Sequence, residues 1–303
     1  MNQKNASFFS IFLFIICLIV LSGSSKAEPP SQDIQTGRMR IISLSPNITE
    51  VLFALGLDNE IVGVTEFCKY PKAALEKAKV GGYGNPDLET IVSLKPTIII
   101  MLNFSAAVKD KLRGFNIETL VVTNETVEEV LDSITKIGQA TQRDDSAERL
   151  ILSIRTKVDS VRKKYENQPK PGVLLGIGRN PEDITNMYVA GPGTFLNELL
   201  EIAGGKNIVS DVEIKYPKIS LEEIITRNPE IILEPVLQVN PTPEYLKKFK
   251  TSWAQLPGIE AVKNGEIHFL FGDFILIPGP RMLLTLDQIV KILHPEDGKT
   301  AIH

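Results

Sequence analysis

Residues 144–167, DDSAERLILSIRTKVDSVRKKYEN, read as one uninterrupted helix, and related sequence lies on either side of it. Leu150, Ile151, Ile154, Val158 and Val161 recur at the three-to-four spacing of a single buried stripe. Arg149, Arg155, Lys157, Arg162 and Lys163 fill the wet faces. At about 1.5 Å per residue the helix spans roughly 30 Å, enough to cross a small domain. Pro169 and Pro171 stop it, because a proline ring clashes with the preceding turn and lacks a donor.

The flanks repeat each other. Residues 88–100, LETIVSLKPTIII, align with residues 221–233, LEEIITRNPEIIL, each reading as a short helix, a proline-marked turn and an apolar strand. Upstream, Glu50, Leu52, Gly56 and Asn59 match Glu198, Leu200, Gly204 and Asn207. The two matches differ in offset by one loop-length change, which repeats tolerate because loop closure costs grow slowly with length. The chain therefore reads as two related lobes on one rigid strut.

Within the lobes, apolar strands alternate with helices. Strands are expected at 40–44, 60–64, 97–101 and 118–122, with helices at 46–55, 87–94, 106–113 and 126–139. After the strut come strands at 173–177, near Ile208, at 231–233 and at 266–271, and helices at 194–203, 221–227 and 281–293. Ser45 and Pro46 suit an N-cap and a first helical position. This alternation implies an α/β fold: two Rossmann-like lobes of parallel sheet, covered on both faces, with a ligand cleft between them. Ligands of such sheets bind beyond the carboxyl ends of the strands. The expected division is 40–143 for the first lobe, 144–168 for the linking helix and 169–295 for the second, followed by a tail at 296–303.

The amino terminus has another character. Lys4 precedes an apolar run over 8–20, interrupted only by Ser10, and Ser25-Lys26-Ala27 fits the small-x-small rule for signal-peptide cleavage. Residues 1–27 read as a secretory signal and 28–39 as a flexible spacer, which places the mature protein in the periplasm. The alternative, an uncleaved membrane anchor, has a short apolar run for a span, and bulky Ile16 disfavours a lipid anchor on Cys17. Cleavage removes Lys4 and Lys26 and no acidic residue, leaving 31 basic against 37 acidic side chains, a charge of −6. That balance argues against nucleic-acid binding. Only Cys68 survives cleavage, so an intramolecular disulfide is impossible, and a buried structural thiol is preferred over a metal ligand. His268, His294 and His303 show no metal-ligand spacing, and no metal or cofactor is expected.

The loops after the strand ends carry the candidate site. Tyr70-Pro71 and Tyr83 follow the second strand, and Tyr216-Pro217 occupies the matching stretch of the second lobe. Tyr83 and Tyr216 each precede a paired glutamate, Glu89 and Glu222, by the same interval, so the repeat sets one ring on each lobe at one position. Facing rings with polar tips suit a large, partly aromatic ligand. Arg179-Asn180-Pro181 ends one strand of the second lobe and Gly272-Asp273-Phe274 another. Asp273 suits a polar ligand edge, or else a turn. Arg281 opens a helix, where a cation opposes the dipole, so a buried carboxylate or a chain terminus is expected beside it. Trp253 is expected to pack a helix. Gly176-Ile177-Gly178 and Gly191-Pro192-Gly193 lack the third glycine of a dinucleotide fingerprint, and phosphate loops, HExxH and GxSxG are absent.

Four motifs, Ser-Pro-x-x-Thr-Glu at 45–50, Asn-x-x-Leu-Glu at 85–89 before Lys95-Pro96, Ala-Gly-Gly-x-Asn at 203–207 and Pro280-Arg281, carry a resemblance. Over about 38–295 the chain resembles the helix-linked periplasmic solute-binding proteins of ABC importers for iron-siderophores, heme and cobalamin. It looks most like the cobalamin binders. The resemblance implies a monomer that performs no chemistry, holds cobalamin or another metal chelate, and hands it to an ABC permease dimer with its ATPase. It implies a pocket lined by Tyr70, Tyr83, Asn180, Tyr216, Asp273 and Phe274. It also implies docking of Glu89 and Glu222 onto arginines of the two permease subunits. The chain departs from that group in having tyrosines at 83 and 216 where tryptophans are typical of some cobalamin binders, Leu102 where another tryptophan can occur, and Ile277 where an arginine can occur. A ferric-siderophore or heme carrier is the alternative. An enzyme acting on a chelate would have to draw on Asp273, Glu66, Cys68 and the tyrosines, and a sensor module would use the same cleft.

Overall fold

A computed structural model describes residues 38–82, 84–103, 106–115, 117–238 and 240–296, without the side chains of 106 and 107. The expected signal, the expected spacer up to residue 37, Tyr83 and the expected tail beyond 296 fall outside the described residues. The elements of the first lobe are β1 (Ile41–Ser43), α1 (Pro46–Ala54), β2 (Ile61–Val64), β3 (Ala78–Lys79), α2 (Leu88–Ser93), β4 (Ile98–Leu102), α3 (Ala106–Leu112), β5 (Glu118–Val122) and α4 (Val127–Thr141). The linking helix is α5 (Asp144–Tyr165). The second lobe holds β6 (Gly172–Gly178), β7 (Met187–Val189), α6 (Phe195–Ile202), β8 (Lys206–Asn207), β9 (Lys218–Ile219), α7 (Leu221–Arg227) and β10 (Ile231–Val236). It closes with α8 (Pro243–Trp253), α9 (Glu260–Asn264), β11 (Ile267–Phe271) and α10 (Met282–Leu293).

The first sheet has the order β3-β2-β1-β4-β5 and its pairings are parallel, as the alternating pattern predicts. Its inner strands β1 and β4 are buried along their whole length. Ile98, Ile100 and Leu102 face one cluster, while Ile99 and Met101 face another, so each consecutive apolar residue of β4 has a core to enter.

The second sheet differs from the expected all-parallel lobe. It runs β11-β10-β6-β7-β9 with β8 beside β6, and β7 pairs antiparallel with both β6 and β9. The antiparallel strands are two or three residues long, too short for a period to register, and Asp183-Ile184-Thr185-Asn186 turns the chain back into β7. Helices α8 and α9 were likewise not expected. Thr242 and Pro243 nonetheless carry the start signal for α8, with Thr242 Oγ1 accepting from Tyr245 N at 3.2 Å.

Helix α5 buries Ala147, Ile154, Val158, Val161 and Tyr165, with Leu150 and Ile151 half-buried along the same stripe. It packs on α4 from the first lobe and on α6 and α10 from the second. Gly138 permits the close crossing with α4, since a Cβ there would lie 2.5 Å from the Ala147 methyl. The far end is fixed by Tyr165, whose ring stacks on His294 at 3.7 Å between centroids and 10° between planes. One buried cluster accordingly runs from Ile41 and Ile48, through Ile154 and Val158, to Leu233, Leu286 and Ile289. No helix among the described residues is long and apolar enough to cross a membrane.

Candidate functional site

A cavity of about 320 Å³ opens at the carboxyl ends of the strands. The loop after β1 contributes Ser45, Pro46 and Asn47, the loop after β2 Phe67, the loop after β5 Asn124, and the segment after β11 Leu276, Ile277 and Pro278. Both lobes thus wall it, where α/β sheets present their loops. Phe67 on one side and Leu276 and Ile277 on the other are apolar walls. Ser45, Asn47 and Asn124 add neutral donors and acceptors, and none of these lining side chains is charged.

The floor is held by a hydroxyl and thiol network. Ser43 Oγ donates to Ser45 O at 3.0 Å, and Thr49 Oγ1 lies 2.8 Å from Ser43 Oγ and 3.1 Å from Cys68 Sγ. Thr65 Oγ1 lies 3.1 Å from the same sulfur. Cys68 is fully buried, a structural position that joins the β2 loop to α1. Ser45 stands at the N-cap of α1 but makes no side-chain cap. Its hydroxyl reaches Asn47 Oδ1 at 2.5 Å instead, which fixes a cavity-lining amide.

Beside the cavity, Arg281 joins two of the sequence motifs. Its Nη2 donates to Glu50 Oε1 at 2.6 Å and its Nη1 to Asp273 Oδ1 at 2.8 Å. The guanidinium also lies 3.9 Å from the Tyr70 ring centre and 5.4 Å from that of Phe274, distances at which the ring faces attract a cation. The buried carboxylate expected beside Arg281 is Glu50, only 4% exposed. Burial pushes the Glu50 carboxyl up from its ordinary value, and the arginine opposes that shift.

Three candidate residues, Tyr70, Asp273 and Phe274, therefore gather around one cation. Tyr216 stands apart, 39% exposed, with its hydroxyl 3.5 Å from Glu125 Oε2 of the first lobe. Lys215 Nζ is 3.6 Å from the same oxygen. Asn180 is exposed, and its side-chain oxygen is used within its own turn, accepting from Glu182 N at 3.1 Å. None of these five lines the cavity itself. Residues unnamed as candidates, Phe67, Asn47 and Asn124, do line it. Their signal in the sequence was position only, immediately after predicted strands.

The Asn180 loop rests on a buried ion pair. Arg179 Nε donates to Glu234 Oε1 at 2.7 Å, and its Nη1 donates to the carbonyls of Asn180 and Pro181 at 3.0 Å. Trp253 does pack a helix, α8, fully buried, and its Nε1 donates to the same Glu234 oxygen at 2.7 Å. Burial pushes the Glu234 carboxyl up as well.

Glu89 and Glu222 are exposed in the first turns of α2 and α7. Neither is needed for capping. Asp87 Oδ1 accepts from Glu89 N and Thr90 N at 3.0 and 3.2 Å, and Ser220 with Glu223 forms a capping box.

Residues 41–271 match the family model described as periplasmic binding protein. The vitamin B12-binding protein of Vibrio parahaemolyticus is 28% identical over 256 residues, covering 84% of this chain and 87% of that protein. The crystal structure of the periplasmic vitamin B12 binding protein BtuF of Vibrio cholerae superimposes with a TM-score of 0.71 at 25% identity, over 84% of this chain and 96% of that one. That of a possible iron-binding, periplasmic solute-binding protein of Staphylococcus epidermidis does so with a TM-score of 0.71 at 28% identity, over 84% and 98%.

Proposed function

The chain belongs to the periplasmic binding protein family, and we propose that it is the extracytoplasmic carrier of an ABC importer that binds cobalamin or a close corrinoid between its lobes. The observation that carries this reading is the cavity at the strand ends, with apolar walls on both lobes and uncharged amide and hydroxyl groups between them. A corrinoid offers a large, flat, amide-fringed surface to such walls, and the vitamin B12-binding relatives support the assignment. Tyr70, Tyr83, Tyr216 and Phe274 are proposed to supply ring faces to the parts of the ligand that extend beyond this cavity, and Asn180 and Asp273 to order its edges, Asp273 in concert with Arg281. No bond is made or broken; the affinity comes from burial and ring contact.

Delivery requires a second surface. Glu89 and Glu222, repeat-related and exposed, are proposed to meet the two halves of the permease. The iron-binding neighbour keeps a ferric chelate as the second reading. Isothermal titration of the mature protein with cyanocobalamin, hemin and a ferric hydroxamate decides between them. Tight binding of cyanocobalamin alone is the expected result; its absence, with tight binding of either iron ligand, overturns the corrinoid assignment.

A further inference from the structure

Glu50 and Glu198 occupy matching points of the internal repeat, each in the first helix of its lobe. Both reach across to the other lobe. Glu50 on α1 accepts from Arg281, the residue that opens α10, at 2.6 Å. Glu198 on α6 accepts through Oε2 from the backbone N of Val127, the first residue of α4, also at 2.6 Å. Each tie therefore runs from the first helix of one lobe to the start of the last helix of the other. The relation is reciprocal, as a two-fold repeat would generate it.

Both ties end on segments that wall the cavity. Arg281 follows Leu276, Ile277 and Pro278 within a few residues, and Val127 follows Asn124. On the Glu50 side the lobes also touch through Gly279, where a Cβ would lie 3.5 Å from Asn47 Cα and 3.6 Å from Glu50 Oε2. On the Glu198 side the carboxylate borders a charged surface cleft of about 470 Å³ lined also by Arg162, Glu166, Lys170 and Glu201. Capping alone does not require either tie. Thr126 already caps α4 by accepting from Glu129 N, and Arg281 already has Asp273.

We propose that Glu50 and Glu198 are a reciprocal pair of positioning residues that hold the two lobes at a fixed angle and so set the width of the cleft. A side-chain oxygen that accepts across the lobes at each point restrains lobe rotation where the linking helix alone leaves bending free. The proposal goes beyond ligand identity and is tested without a ligand. Spin labels on Lys72→Cys and Lys247→Cys, exposed positions in the two lobes, report the inter-lobe distance by pulsed electron resonance, the native Cys68 being buried. Glu50→Gln and Glu198→Ala are each expected to broaden the distance distribution, and the double variant to broaden it beyond either. Cyanocobalamin dissociation is expected to rise about tenfold in each single variant, as for the net loss of one hydrogen bond. A lower melting temperature with an unchanged distance distribution overturns the proposal, since the contacts then only stabilise the fold. Should Glu50→Gln fail to fold by circular dichroism, Glu198→Ala, on a half-buried site, decides alone. Failure of cyanocobalamin to bind the unaltered protein would overturn the corrinoid assignment and leave the distance result standing.

Discussion

Arg281 shows how far single residues could be read. Its place at a helix start, against the dipole, called for a buried carboxylate, and the structure supplies Glu50 and Asp273. The identity of Glu50 as partner was not legible, because the contact joins opposite ends of the chain and no local pattern encodes it. The candidate tyrosines divide for the same reason. Tyr70 lies against Arg281, whereas Tyr216 reaches Glu125 across the lobes. Tyr70→Ala and Tyr216→Ala are each expected to weaken cyanocobalamin binding by about 1–3 kcal/mol, read by titration calorimetry; an unchanged affinity in both removes the rings from the site. Asp183 offers a pH test. Hydrogen bonds from the Thr185 hydroxyl, the Asn186 amide and the Thr185 N–H hold its carboxyl at about 2, against an ordinary 3.8. A folded value below the unfolded one means the stabilisation is complete above the ordinary value and is lost as pH falls through about 2. Asp183→Asn should therefore lower the melting temperature at pH 7 and leave it unchanged near pH 2. Equal destabilisation at both pH values would exclude charge as the cause.

At the scale of elements, what was legible followed from period and length. The parallel strands β4, β6 and β10 are apolar runs with a core on each face, and α5 carries a stripe long enough to be unmistakable. The antiparallel strands β7 and β9 escaped because so few residues impose no period; the turns around them, through Asp183 and Asn186, decide their direction. In α5 the stripe makes a sharp prediction. A Gly-Pro insertion after Thr156 costs about 3 kcal/mol or more for the proline alone. It also turns Val158, Val161 and Tyr165 by roughly 200° away from the face on which Ile154 packs. Lower cyanocobalamin affinity and a larger radius of gyration by solution scattering are expected; if both stay the same, α5 does not set the lobe spacing.

At the scale of the whole molecule, the internal repeat leaves a matched pair of surface charges. Glu89 and Glu222 lie exposed at equivalent helix starts, one per lobe, and their helices are capped without them. Charges so placed steer and orient an encounter more than they deepen affinity. Glu89→Arg combined with Glu222→Arg is expected to leave cyanocobalamin binding intact and to abolish its uptake into vesicles carrying the cognate permease. Normal uptake by that variant would reduce both glutamates to helix-dipole contributions of about 0.3–1 kcal/mol each. The core that runs from Ile41 through α5 to Leu286 and Ile289 has a further consequence, for the order of folding. Each lobe has a cluster of its own, Ile42 with Ile99 and Met101 in the first and Leu174 with Ile232 and Trp253 in the second, but this one is shared between them through α5. The shared cluster is complete only once α10 has been made, and the protein should melt in a single step with equal calorimetric and van't Hoff enthalpies. Fragments cut at residue 168 should show no cooperative transition apart and should recover one only when mixed.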